Sequence, residues 1–258
     1  MKFLILLLTL LHCHANASEL AADEIMQKSY ESNRFNSTTS EADVTLLDKN
    51  GDIRTRKIIS LSKQNKSSLD NARLSRFVAP NDIKGMSTLL IEHKSNEDDV
   101  WVYLPSMKKV RRLSANSKRD SFLGTDLSNG DVIGHKPSAW KNTLLREENF
   151  DNTKCWVVES IASPKTVELT GYTKRVSYIS MQNYVALKTD FWNHQSLLSK
   201  SILAKDIKKI SATKSQPLLI EAKNLITGHQ STIKFGQFDV DVDVSDQDIS
   251  PRAMEKQD

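Results

Sequence analysis

The spacing of apolar residues changes period once along this chain. In 18–34, Ala22, Ile25, Met26 and Tyr30 fall at i, i+3, i+4 and i+8 with polar residues between them, which predicts an amphipathic helix with Ser18 as its N-cap. From Ser37 the period is two. Ala42, Val44 and Leu46 alternate with polar residues and run into Lys49-Asn50-Gly51-Asp52, a hairpin signal, because Asn-Gly accepts the positive φ angles of a two-residue turn. Ile53, Thr55, Lys57, Ile59 and Leu61 continue on the return strand. Strand-like runs recur at 88–92, 100–104, 109–113, 144–150, 156–161, 174–180, 185–193, 198–210, 218–224 and 231–244, with turn residues such as Asn129-Gly130, Asp151-Asn152 and Thr227-Gly228 among them. Short turns and no long intervening helices predict a mainly β fold with an N-terminal helix: one curved antiparallel sheet. The stretches 63–73 and 114–140 lack a period and are expected to be loops or short helical lids over the concave face.

The first residues follow another logic. Met1-Lys2 precede the apolar run from Phe3 to Leu11, which is too short to span a bilayer at about 20 residues per helix but has the length of a secretory leader core. Ala15-Asn16-Ala17 supplies the small-x-small pattern of a cleavage site, so residues 1–17 are expected to be a signal peptide removed before Ser18. A rival reading makes Leu10-Leu11-His12-Cys13 a lipobox with Cys13 lipidated, but His12 stands where a small residue is needed. No linker rich in Pro, Gly or Ser interrupts 18–258, which is read as a single exported domain.

Composition narrows the class without naming a chemistry. The 258 residues are 38% hydrophobic and 26% charged with a net charge of +4, which excludes collagen, a disulfide scaffold and a disordered chain, and implies no nucleic-acid partner. After leader removal Cys155 is the one remaining thiol, and Cys155-Trp156-Val157-Val158 reads as an apolar strand, so a buried inert side chain is expected. His93, His135, His194 and His229 show no zinc-ligand spacing. Carboxylates alternating along Asp239-Val240-Asp241-Val242-Asp243-Val244 stand about 6.6 Å apart on a strand face, too far to converge on one ion. Glu147 and Glu148 are adjacent on a strand and face opposite ways. No nucleophile elbow, metalloprotease, P-loop or dinucleotide pattern is present, so no catalytic residue, metal or cofactor is expected.

One segment is distinctive. Asp99-Val100-Trp101-Val102-Tyr103-Leu104-Pro105-Ser106-Met107-Lys108-Lys109-Val110-Arg111-Arg112-Leu113-Ser114 reads as a hairpin turning at Pro105-Ser106, and Arg119-Asp120-Ser121-Phe122-Leu123-Gly124-Thr125-Asp126-Leu127 follows it. Together with Pro80-Asn81-Asp82-Ile83-Lys84-Gly85 and the later strand order, this pattern resembles the periplasmic outer-membrane lipoprotein-sorting proteins, a branch of the LolA-like fold. The resemblance spans essentially all of 18–258, with Ser250-Pro251-Arg252-Ala253-Met254 fitting more loosely. It implies a half-open β-barrel with helical and loop lids, an apolar cavity for the acyl chains of a lipid or lipoprotein, and a monomer. Members of this branch are linked to RND-type inner-membrane transporters, which makes such a transporter an implied partner.

A carrier of this kind hides apolar chains from water at about 0.8 kcal/mol per buried CH₂. Trp101, Tyr103, Phe122, Leu123, Trp156, Tyr178, Phe191 and Trp192 are the candidate lining residues, with an ordinary core as the competing role. Lys108, Lys109, Arg111, Arg112, Lys118 and Arg119 form the densest basic cluster, suited to an anionic headgroup or membrane surface. Arg111 and Arg112 point to opposite strand faces, so one of them is expected to look inward or to pair with Asp120 or Asp126, pinning the 121–127 loop.

Overall fold

The computed structural model describes residues 11–65, 70–94 and 96–256. The apolar run of the expected leader lies outside them, apart from Leu11. A helix α1 (Leu11–Glu31) starts upstream of Ser18, which is therefore inside the helix and not its cap. No helix among the described residues is long and apolar enough to cross a membrane.

Thirteen strands follow: β1 (Ser37–Leu47), β2 (Ile53–Gln64), β3 (Asn71–Ala79), β4 (Ser87–Glu92), β5 (Asp99–Leu104), β6 (Lys109–Arg112), β7 (Trp140–Phe150), β8 (Thr153–Ala162), β9 (Tyr172–Ser180), β10 (Ala186–Asn193), β11 (Leu198–Lys209), β12 (Ser215–Asn224) and β13 (Gln230–Val240). They form one antiparallel sheet in the order β6-β5-β4-β3-β2-β1-β13-β12-β11-β10-β9-β8-β7. Two meanders, β1–β6 and β7–β13, are thus joined through the β1–β13 ladder, and the sheet is curved and open, with β6 and β7 as its free edges. A further expectation from the sequence needs correction. The stretch 63–73 is not a lid, because β2 runs on to Gln64 and β3 begins at Asn71. β3 escaped notice because its inward positions, Arg73, Ser75 and Phe77, mix charge, hydroxyl and ring.

The connection from edge to edge organises the interior. To pass from β6 to β7 the chain crosses the concave face through a 3₁₀ turn (Ala115–Arg119), a short helix α2 (Asn129–Ile133) and a second 3₁₀ turn (Pro137–Ala139). Phe122, Leu123, Leu127 and Ile133 from this crossover pack against Ala42, Val44, Ile58, Phe77, Leu90, Val100, Ala222 and Ile233 from strands on both meanders. Helix α1 lies on the same face, its Ala22, Ile25 and Met26 meeting Val158 and Ile179. A third helix α3 (Pro164–Thr170), started by the Ser163 cap and Pro164, reaches back to the β4–β5 turn, where Lys165 pairs with Glu97 at 3.4 Å.

The C-terminal segment covers the outside. β13 stops where Asp241 turns to positive φ, and the chain then lays Val242, Val244, Ile249, Ala253 and Met254 on the convex face of β2–β6. Met254 is fully buried, and Arg76 Nη2 donates to the Ala253 carbonyl at 2.8 Å. The loosely fitting C-terminal residues are thus a second core layer.

Candidate functional site

Strand registers sort the expected site residues by face. On β5, Val100 and Val102 look inward, so Trp101 and Tyr103 look outward and sit under the C-terminal segment. Phe122 and Leu123 are buried in the crossover core at 4% and 5% exposure. Trp156 is on the concave face under α1, stacked on Tyr184 at 5.4 Å. Tyr178 packs with Phe150 at 5.3 Å. Trp192 looks outward beneath Lys174, 4.3 Å from its ring centroid. Phe191 borders an interior cavity.

The basic cluster is likewise divided. Lys108, Lys109 and Arg111 are exposed at the edge hairpin, with Lys108 at φ 49° closing its turn. Arg112 pairs with Asp99 on the convex side, not with Asp120 or Asp126. Lys118 pairs with the buried carboxylate of Asp98, and Arg119 lays its stem near Gly171. Asp120 is exposed, whereas Asp126 is bound by His229 Nδ1 at 2.6 Å and Ser231 Oγ at 2.5 Å. The 121–127 loop is pinned, as expected, but its arginine comes from β2: Arg56 Nη1 donates to the Leu123 carbonyl. Gly124, at φ 74°, leaves the space this guanidinium occupies, since a Cβ there would stand 2.6 Å from Arg56 Nη1.

The cavity, of about 300 Å³, lies between α1, α2 and the inward faces of β2–β4 and β9–β11. Its apolar lining includes Met26, Leu90, Ile133, Phe191 and Ile202, and Phe35 and Phe238, 5.5 Å apart, stand at one end. The rest is polar, which corrects the expectation of a wide dry space. A second cavity of about 600 Å³ lies between the β4–β5 turn, α2 and α3. The two share Gly134 and His135, so the crossover is the partition between them.

Buried charge is concentrated at that partition. Asp131 closes a capping box with Ser128 on α2, and its carboxylate meets Lys200 Nζ at 2.8 Å and His135 Nε2 at 3.0 Å. Lys200 also donates to the Tyr172 hydroxyl at 2.6 Å. The ammonium of Lys200 and the His135 bond hold Asp131 well below the ordinary carboxylate range against its burial, and burial keeps His135 below its usual value. At the end of α1, Arg34 Nη1 donates to Glu92 at 2.5 Å and Nη2 to the Ile133 carbonyl at 3.0 Å, while the Tyr30 hydroxyl donates to Glu92. Burial, with Asp98 nearby, pushes the Glu92 carboxyl up to about 8. These groups tie α1, α2, β4 and β11 together. The sequence offered one clue to them: Lys200 and Arg175 share inward faces with apolar Ile202 and Ile179.

Cys155 is fully buried and its thiol is pushed up by desolvation, so it is held in its unreactive form. Among the described residues no group of three His, Cys, Asp or Glu side chains is placed to hold a metal.

The same fold recurs in solved structures. A domain provisionally assigned to outer membrane lipoprotein sorting, from Vibrio parahaemolyticus, superposes with TM-score 0.85 at 21% identity, covering 92% of this chain and 100% of that one. A DUF1329 family protein from Desulfovibrio piger matches with TM-score 0.85 at 25% identity, over 92% and 99%. A LolA superfamily protein from Nitrosomonas europaea matches with TM-score 0.67 at 21% identity, over 89% and 97%. A family model described as an uncharacterized protein matches residues 69–256. None of the curated proteins matches the sequence.

Proposed function

The chain belongs to the DUF1329 family, within the LolA-like lipoprotein-sorting fold, and from that premise we propose that it is a periplasmic, non-catalytic carrier for a lipid or lipidated protein. Residues 1–17 are the leader in this reading, and 18–258 are one monomeric domain. The observation that carries it is the construction of the concave face: an unclosed sheet is covered by separate pieces, α1, the crossover and α3, with two cavities meeting at Gly134 and His135.

Cavities of this size suit a small ligand or one end of a larger one. Acyl chains of a whole lipid need the crossover or α1 to swing out, which exchanges the Phe122–Leu127 contacts for contacts with cargo. Phe191, Ile202, Ile133 and Met26 are then the first apolar surface the chains meet. Native mass spectrometry of the protein purified from its own host tests this. Copurifying acyl lipid that is lost in Phe191→Asp is the expected result, and a protein without lipid that takes up none from vesicles overturns it.

A second reading, a module docking on an RND-type transporter without cargo, draws on one specific feature. Ile53, Leu197, Leu198, Leu225 and Ile226 are exposed at three neighbouring hairpin ends, β1–β2, β12–β13 and β10–β11. Capture of a transporter by the lipid-free protein, lost on Ile226→Asp, is the result that favours it.

A further inference from the structure

The interior cavity holds more positive than negative charge. Of the ionised side chains lining it, Arg34 is bonded to Glu92, and Asp131 to Lys200 and His135. Lys63 is paired with Asp246 at 2.8 Å. Two guanidiniums remain, Arg73 of β3 and Arg175 of β9, and neither has a hydrogen bond or ion pair with any described residue. Arg175 is 6% exposed, its Nε and Nη2 are buried without a hydrogen bond, its guanidinium lies 4.7 Å from the Trp140 ring centroid, and the charge of Asp131 acts on it without a direct bond. Burial lowers Arg175 to about 10 and also lowers Arg73, where the like charge of Arg34 adds to the effect, so both stay cationic at neutral pH.

A guanidinium taken out of water without a directly bonded counter-charge is costly, and folds seldom retain two in one cavity unless something anionic compensates them. The placement is not a local accident. β2, β1, β13, β12, β11 and β10 lie between β3 and β9 in the sheet, so curvature brings the two side chains to the same space from opposite walls. Polar groups line the same cavity: Ser177, whose hydroxyl accepts from Thr189, and Asn71, Ser62 and Gln216, which are bonded to Glu92, Thr38 and the Pro217 carbonyl. Acidic side chains lining it are limited, among the described residues, to Glu92, which burial pushes up to about 8 so that it keeps its proton at neutral pH, and Asp131, already bonded to Lys200.

We propose that this cavity binds an oxyanion, a phosphate group drawn in by the unbonded positive charge of Arg73 and Arg175. Resting on the carrier reading above, the site takes the phosphorylated headgroup of the cargo lipid, with the acyl chains leading out past Phe191 and Ile202.

Calorimetric titration of the purified protein with dihexanoyl phosphatidate, dihexanoyl glycerol and inorganic phosphate tests this. Phosphatidate is expected to bind at least about tenfold tighter than the glycerol, an advantage of about 1.4 kcal/mol that the double variant Arg73→Gln/Arg175→Gln removes. Because that variant loses uncompensated charge, its Tm in anion-free buffer is expected to hold or rise while the stabilisation by phosphate disappears; arginines with a merely structural role would give a lower Tm. Binding of both lipids with equal affinity and no response to phosphate overturns the anion site and leaves the carrier reading standing. A phosphate response lost in the variant, with neither lipid bound, supports the site, assigns it to free phosphate and overturns the carrier reading. Should the double variant not fold, Arg175→Lys, which keeps the charge but not the fork, is expected to weaken phosphatidate binding, and unchanged affinity overturns the proposal.

Discussion

Asp131 of α2 and Lys200 of β11 meet at 2.8 Å inside the curved sheet, and both are almost wholly withdrawn from water. The pair fastens the crossover to the wall opposite β3–β5. Removing one partner strands the other, so Asp131→Asn is expected to destabilise the protein by about 3–5 kcal/mol in urea unfolding. Asp131→Leu combined with Lys200→Met should recover most of that loss, because no uncompensated charge remains. A double variant no better than the single one rules out an electrostatic role for the pair.

Glu92 predicts a pH dependence. Its folded-state pKa of about 8 lies above the ordinary value of 4.5, so the folded protein keeps a proton that the unfolded chain releases. The contribution is fully present below the unfolded value and is lost as pH rises through about 8, at roughly 1.4 kcal/mol per pH unit between the two. Tm should therefore fall from about pH 5.5 to about pH 8.5, and Glu92→Gln should flatten the curve. An unchanged slope in the variant assigns the dependence to other groups.

The Arg56 bond to the Leu123 carbonyl ties the crossover to β2. Arg56→Ala should cost about 1–3 kcal/mol and accelerate amide exchange at 121–127 before the strands respond. Gly124→Ala meets both the guanidinium and a φ of 74°, and should give the same local pattern. Exchange that accelerates uniformly over the sheet would contradict a local latch.

Phe122 tests whether the motif is core or lining. At 4% exposure among Val44, Phe77 and Ile233, its truncation to Ala should cost about 3–5 kcal/mol. Phe191→Ala, at the cavity wall but equally buried at 3% exposure, should lower acyl-lipid retention by more than its stability loss accounts for. Retention that falls only in step with stability in both variants would remove the distinction.

Met254→Ala addresses the convex layer. With its side chain fully buried against β3–β5, about 2–5 kcal/mol should be lost, and binding of a hydrophobic dye should increase as Trp101 and Leu89 become accessible. No change in unfolding would mean that the C-terminal segment adds nothing to the core.

Local pattern alone determined most of the strands, the N-terminal amphipathic helix and the 114–140 crossover, but not the 63–73 stretch, which is the end of β2 and the start of β3. Alternation along β1, β5 and β8–β12, and turn residues such as Asn50-Gly51 and Thr227-Gly228, encode strands and reversals within a few residues. The motif around Trp101 and Phe122 was legible too, as was the burial of Cys155. Which side of the sheet each residue serves was not legible, because alternation separates two faces without naming the inner one. Only the closure of β1 against β13 and the passage of the crossover from β6 to β7 made Phe122 a plug and put Trp101 under the C-terminal segment. The buried charges were still less accessible. Arg73, Arg175, Asp131 and Lys200 are far apart in the chain, and a lone charge on a strand reads as solvent-facing until curvature turns that face inward.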